Sequence, residues 1–259
     1  MQYLYATEHP DYSDLASGRV FYSLAGSPAF PVRLASEIFQ RCLAFRRQAG
    51  AVSPCVLYDP CCGAGYLLGV VAYLHGETLR EVIGSDWDEK AVAVAQRNLG
   101  LLHRAGLARR TAELTELFRL YGKPSHQAAL DSTQVFHRRL DESGEGQPLT
   151  LRAFQASALD GPALAQNLNG SLADIVLTDV PYGLHSNWQG LNAGQDPARA
   201  LDLMLDALLP GLAERAVVAL VTDKGQMAAH PGYRRVGHFQ LGKRKVIFLM
   251  VGLERGKEA

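Results

Sequence analysis

With 259 residues, 47% hydrophobic and 20% charged, the chain suits one large α/β domain with additions and an ample core. Its 26 basic and 26 acidic residues give a formal net charge of zero, which excludes a globally polybasic protein but leaves local patches open. No apolar run approaches the roughly 20 residues of a membrane helix, and the start "MQYLYATEHPDYSDL" lacks a secretory signal's basic and apolar regions, so a cytoplasmic protein without membrane association is expected.

Residues 1–30 read as irregular, with "SLAGSPAFP" as a loop. Pro31 stands where a helix can begin, and "PVRLASEIFQRCLAF" sets Leu34, Ile38 and Leu43 near one helical stripe until "AGAVSP" breaks it. "CVLYD" (55–59) reads as a buried strand and "YLLGVVAYLHG" (66–76) as an apolar helix ending at Gly76. "EVIGSD" (81–86) is a second strand, and "DEKAVAVAQRNLGLLHRAG" (88–106) a helix capped by Asp88. Residues 107–148 are polar, mostly helical in composition and end in the loop "SGEGQP"; their length marks an insertion. "TLRAFQAS" (150–157) is a third strand, and "ADIVLTDVPYG" (173–183) a fourth running into a loop. "PARALDLMLDALLPGL" (197–212) is a helix with Pro197 in its first turn, and "AVVALVTD" (216–223) a fifth strand. The tail "YRRVGHFQLGKRKVIFLMVGLE" reads as a β-hairpin around Gly242 and Lys243. Strands alternating with helices predict a mostly parallel sheet covered on both faces, with one antiparallel strand from the hairpin.

Four cysteines, Cys42, Cys55, Cys61 and Cys62, suggest no disulfide framework, and the absence of paired CxxC motifs argues against a metal site. Neither Cys61 nor Cys62 has an evident activating partner, so both are read as small turn residues.

The turn "LYDPCCGAGYLLG" carries the first chemical signal. Asp59 closes a strand, Gly63 and Gly65 follow, and a helix begins. Glycine permits positive φ and close approach of a ligand, and a helix N-terminus offers free N–H groups. Asp86 closes the next strand 21 residues after Gly65, a spacing suited to grasping ribose hydroxyls. A dinucleotide dehydrogenase fits less well: the spacing is G-x-G-x-x-x-G, and Asp59 would repel a pyrophosphate. A cationic ligand without phosphate fits better, as S-adenosylmethionine does. Asp59 then lies near its amino-acid part, Asp86 takes the ribose diol and Trp87 flanks the adenine. Read alone, the turn is also an ordinary strand–turn–helix in which Asp59 caps the helix. Ser157 and Ala158, after the third strand, stand where this architecture places adenine contacts.

"TDVPYG" (178–183) follows the apolar strand "DIVL" and so reaches the strand ends where ligands bind. Asp179 and the carbonyls of Val180 and Pro181 can accept hydrogens from an NH₂ group, Pro181 fixes the backbone, and Tyr182 offers a flat face. Drawing both hydrogens of a conjugated amine aims its lone pair at a methyl carbon; alignment does much of the work, with Asp179 a proton acceptor. Standing alone, the segment is also good turn chemistry.

Together "DPCCGAG", "SDWD" and "TDVPYG" resemble the class I S-adenosylmethionine-dependent methyltransferases, and "DPxCGxG" with "DxPYG" is most similar to the branch modifying RNA guanine at its exocyclic amine. The whole chain, including "AGSPAFPVRLASEIFQR", resembles the avilamycin-resistance 23S ribosomal RNA guanine methyltransferases. The resemblance implies a Rossmann-like seven-stranded sheet with an antiparallel seventh strand. It implies one domain over 1–259, with an N-terminal helical extension at 1–52 and a helical insertion at about 107–148. It also implies methylation of a guanine base in large-subunit RNA, resistance to orthosomycins, and a monomer whose partner is 23S RNA or the large subunit. Carried over by position, Asp59, Gly63 and Gly65 match the cofactor loop, Asp86 the ribose acid, and Asp179, Pro181 and Tyr182 the catalytic motif; Cys61, Trp87, Ser157 and Ala158 are expected as further cofactor contacts. Val180 replaces a proline found in many relatives, and Ser157 replaces an acid; related motifs also serve ring nitrogens. A methyltransferase for DNA adenine or protein glutamine, or a non-catalytic RNA-binding relative, are the alternatives.

RNA phosphates are expected at Arg109-Arg110, Arg138-Arg139, Arg234-Arg235 and Lys243-Arg244-Lys245, with Tyr182 and His185 stacking on a splayed base. The loop 24–31 is expected to cover the cofactor.

Overall fold

The structure, a computed structural model, describes residues 3–51, 54–142, 149–180, 188, 199–224 and 228–252. The first helix, α1 (Val32–Gln48), starts after extended Pro31 and buries Leu34, Ile38, Phe39, Cys42 and Leu43 as the stripe requires. β1 (Cys55–Asp59) is wholly buried and leads through the glycine turn into α2 (Tyr66–His75). β2 (Leu79–Asp86) is followed by α3 (Glu89–Gly100), whose N-cap Asp88 accepts the Lys90 N–H.

The helix expected over 88–106 is two helices. α3 stops at Gly100, the chain turns, and α4 (Arg104–Tyr121) begins. Gly106 lies so close to the end of α3 that a Cβ there would sit 2.0 Å from the Gly100 carbonyl oxygen. The helical insertion therefore starts at Arg104. α4 ends on Gly122 in the left-handed region, and α5 (Pro124–Glu142) completes the pair.

β3 (Thr150–Gln155) is shorter than expected, and a helix not anticipated, α6 (Gly161–Leu168), follows it. Its signal was present: the Asp160 side chain accepts the Ala163 N–H and a proline stands in the first turn. β4 (Ala173–Asp179) ends at the acid of the second motif. α7 (Ala200–Leu208) is shorter than the helix expected over 197–212, and Pro197 lies outside the described residues. β5 (Leu212–Asp223) begins earlier than expected, and β6 (Tyr233–Leu241) and β7 (Arg244–Val251) form the hairpin, with Gly242 at positive φ between them.

The strands form one seven-stranded sheet in the order β3-β2-β1-β4-β5-β7-β6. β7 is antiparallel to β5 and β6, and the other pairs are parallel. Alternate residues divide between two apolar layers. Leu57, Val82 and Ile175 face one side with α1, α2 and α3, whereas Val56, Ile83 and Val176 face the other with α6 and α7. Among the described residues no helix is long and apolar enough to cross a membrane.

The N-terminal segment belongs to the first layer. Phe21 packs edge-on against Tyr66 and Phe136, and Gly69 admits it: a Cβ there would lie 2.6 Å from the Phe21 ring. Residues further upstream are tied to α1 by buried Glu37, which accepts the N–H groups of Leu4, Tyr5 and Ala6 and the Arg41 Nε–H.

Because chain order reverses between β1 and β4, their C-terminal ends leave a crevice between them. Asp59 and Asp179 stand at those two ends.

Candidate active site

A cavity of about 760 Å³ opens at this crevice, within the range of small-molecule sites. Its lining residues include Asp59, Gly63, Asp86, Trp87 and Ala158, and also Asp179, Val180, Trp188 and Arg244. Leu24 to Phe30, in the loop expected to cover a cofactor, line it as well.

The glycine turn is held from both sides. The Asp59 carboxylate accepts the Cys61 N–H at 3.0 Å. The Asp86 carboxylate accepts the Gly63 N–H at 2.8 Å and the Asp88 N–H at 3.1 Å. Buried Asn98 joins the turn to the segment above it: its side chain accepts the Tyr22 N–H and donates to the carbonyls of Tyr22 and Ala64. Burial pushes the Asp59 pKa up to about 7, against the Cys61 hydrogen bond, and the negative charges of Asp86 and Asp179 add to the rise. Burial likewise raises Asp86, opposed by the N–H groups of Asp88 and Gly63.

The two glycines differ. At Gly63 (φ 51°) an added Cβ meets nothing nearer than the Ser27 Oγ at 3.8 Å, so the turn leaves space beside the cavity. At Gly65 (φ 69°) a Cβ would lie 2.9 Å from the Ala95 Cβ and 3.0 Å from its Cα. Gly65 is thus required by the approach of α3, and it is not among the cavity's lining residues. Ser157 also departs from expectation. Its Oγ accepts the Leu159 N–H and its carbonyl the Asp160 N–H, so it closes its own turn while Ala158 and Leu159 face the cavity. Trp87 is 52% exposed, with its carbonyl held by Gln155.

Cys61 and Cys62 line the cavity, but burial, then Asp59 and Asp86, raise both thiols well above their ordinary range. Cys62 fills the space left by Gly84, where a Cβ would be 2.9 Å from its Sγ. This is the chemistry of packed thiols.

After β4, the Val180 N–H donates to the Val221 carbonyl at 3.1 Å, which fixes the backbone just after Asp179. Pro181, Tyr182 and His185 lie outside the described residues. Of the basic residues expected to meet RNA, Arg109, Arg138, Arg234, Arg235 and Lys243 are exposed. Arg139 is exposed but stacks over Tyr73 and donates to the Leu74 carbonyl, and Lys245 is half-buried. Arg110 does not fit the expectation: it is buried, donating to the carbonyls of Arg19 and Val20 and pairing with Glu113. Arg244 alone of the set lines the cavity. Tyr22, Trp188 and Arg244 are among the cavity residues that the sequence did not assign there; only contacts distant in sequence reveal them.

The cavity therefore joins two carboxylates at a ligand-sized turn to a third at the end of β4. With Asp88, four acids line it against one cation among its described residues, Arg244, a balance that suits a positively charged, phosphate-free nucleoside ligand.

Comparison with known proteins gives the same picture. The model of the family described as rRNA methyltransferase AviRa matches residues 1–244. The chain is 41% identical over 247 residues to the 23S rRNA (guanine(2535)-N(1))-methyltransferase of Streptomyces viridochromogenes, covering 95% of each protein. Two crystal structures of the rRNA methyltransferase AviRa from that organism superpose with TM-scores of 0.83 and 0.82, at 39% identity over 96% of each chain. The seven-stranded sheet, its single reversed strand and the cavity at the β1–β4 crevice are thus those of a chain that belongs to the AviRa family of rRNA methyltransferases.

Proposed function

We propose that this protein transfers the methyl group of S-adenosylmethionine to N1 of a guanine in 23S ribosomal RNA. The observation that carries the reading is one cavity lined by Asp59, Asp86 and Asp179, from the ends of β1, β2 and β4, in a chain 41% identical to a guanine-N1 methyltransferase. The exocyclic amine favoured by the motif alone gives way to N1 because that relative is named for N1.

When bound, the cofactor supplies an electrophilic methyl on a sulfonium and leaves as a neutral thioether. The chain's own residues do the rest. Asp86, pre-oriented by the N–H groups of Gly63 and Asp88, accepts the ribose hydroxyls. Trp87 and Ala158 border the adenine, Gly63 gives room for the ligand, and Asp59 and the wall at Cys61 face its cationic end. Asp179 accepts the N1 proton of the substrate base, and the motif residues Pro181 and Tyr182 take the roles of fixing the backbone and stacking on the base. Exposed Arg109, Arg138, Arg234, Arg235 and Lys243 hold phosphates and orient the RNA.

In this reading the protein is a cytoplasmic monomer acting on 23S RNA or the large subunit, and its methyl group protects the ribosome from orthosomycins such as avilamycin. Labelled methyl transfer to separated 23S and 16S RNA tests it. Label in 23S RNA alone, and avilamycin tolerance in a sensitive bacterium expressing the chain, are expected. Label in neither RNA refutes the activity.

A further inference from the structure

Arg244 is the one cation among the cavity's described lining residues, which otherwise include four carboxyl groups. It begins β7, in register with Asp223 on β5, while Asp179 on β4 is in register with Val221. Arg244 therefore lies two residues further out along the strands than Asp179. β7 is two strand spacings from β4, about 10 Å, a gap an extended arginine can largely span. From β1 it is three spacings, about 14 Å, on the side away from Asp86 and Ala158. The guanidinium rests 5.5 Å from the centre of the Phe30 ring. Its buried Nε has no hydrogen-bond partner, and it makes no ion pair, among the described residues. A donor held on an aromatic surface, without an ion pair among the described residues, thus lines the same cavity as Asp179.

The reaction creates a need for such a group. Guanine N1 carries a hydrogen and no available lone pair. Loss of that proton places negative charge on N1 and, by conjugation, on O6. We infer that Arg244 binds O6 of the target guanine and stabilises the charge that develops there as N1 gives its proton to Asp179. The freed N1 pair forms the N–CH₃ bond while the carbon–sulfur bond breaks, its electrons remaining on sulfur. Asp179 and Arg244 thus act on adjacent edges of one base, proton acceptor and oxyanion donor. The other anion within its reach is the cofactor's carboxylate, because Phe30 belongs to the loop whose Ser27 lies beside Gly63, and the measurements below distinguish the two.

The inference rests on the proposed N1 chemistry, so the wild-type enzyme is tested first. It is given 23S RNA fragments carrying guanosine or inosine at the target; inosine keeps O6 and N1 but lacks the exocyclic amine. Methylation of both supports ring-nitrogen chemistry. A 2-methylguanosine product with unreactive inosine refutes that reading, and the role of Arg244 with it. Arg244→Gln and Arg244→Lys are then compared, with melting curves establishing that each is folded. Arg244→Gln is expected to lower kcat by about 10²–10³-fold. Its rate should rise to a plateau at a pH about 1–3 higher than in the wild type, because the unassisted N1–H is a weaker acid. Arg244→Lys should recover part of both effects. Dissociation constants for S-adenosylmethionine and for RNA should stay within a few-fold of wild type. Weakened cofactor binding with an unmoved pH profile would assign Arg244 to the carboxylate instead. Weakened RNA binding with a reduced salt dependence and an unmoved profile would assign it to a phosphate. Either result, or unchanged kcat, overturns the inference.

Discussion

The carboxylate of Asp86, at the end of β2, accepts the N–H of Gly63, in the turn after β1, at 2.8 Å. The residue proposed to grasp the ribose therefore also shapes the turn that receives the rest of the ligand. Asp86→Ala removes both roles. It should weaken S-adenosylmethionine binding by at least tenfold in calorimetry and lower stability by about 1.5–3 kcal/mol, the range for hydrogen bonds to charged groups. Unchanged affinity would remove Asp86 from the ribose site.

Asp59 connects the site to pH. Its folded pKa of about 7 lies above its ordinary 3.8, because burial disfavours the charge. The group's contribution to stability is therefore fully present below pH 3.8 and lost as pH rises through 7, a difference of about 4 kcal/mol. Asp59→Asn should melt higher than wild type at pH 8 in the absence of ligand. A cationic ligand favours the carboxylate, so binding releases a proton, and affinity should fall as pH drops below 7, by up to tenfold per unit. Calorimetry in buffers of different ionisation enthalpy measures that proton; the Asp59→Asn variant should bind weakly and without the pH dependence.

Gly63 and Gly65 should separate under substitution. Gly65→Ala forces a Cβ onto Ala95 at a positive φ and should cost about 2–4 kcal/mol in denaturant unfolding. Gly63→Ala meets open space and should cost only about 1 kcal/mol, while reducing cofactor affinity more than its stability. Equal effects on folding would contradict the packing role of Gly65.

Asn98 should prove a clamp between the N-terminal segment and the glycine turn. Asn98→Leu leaves the buried carbonyl of Ala64 and both polar groups of Tyr22 without their partner. A loss of about 2–4 kcal/mol is expected, with faster hydrogen exchange in residues 17–30.

Much of this arrangement was legible before the structure. "CVLYD" forms β1 residue for residue, because a wholly buried strand bounded by a proline and a glycine turn has little freedom. Asp59, Asp86 and Asp179 meet in one cavity because parallel connections bring strand ends to one edge. The errors have local causes. Gly65 looks like Gly63 in sequence, and only the position of Ala95 distinguishes them. Arg110 looks like a surface cation beside Arg109, yet the carbonyls that bury it lie about ninety positions earlier. Arg244 reads as one of three basic hairpin residues, and only the sheet order places it over Phe30 at the cavity.

Asp179 and the nitrogen it serves decide the chemistry of the site. The most direct measurement is mass spectrometry of nucleosides from 23S RNA treated with cofactor and either wild-type protein or Asp179→Ala. Wild type should yield 1-methylguanosine, with a primer-extension stop at one guanosine. Asp179→Ala should bind cofactor within a few-fold of wild type yet yield at least 10²-fold less product. Wild-type-like product from Asp179→Ala, or 2-methylguanosine from the wild type, would contradict the account.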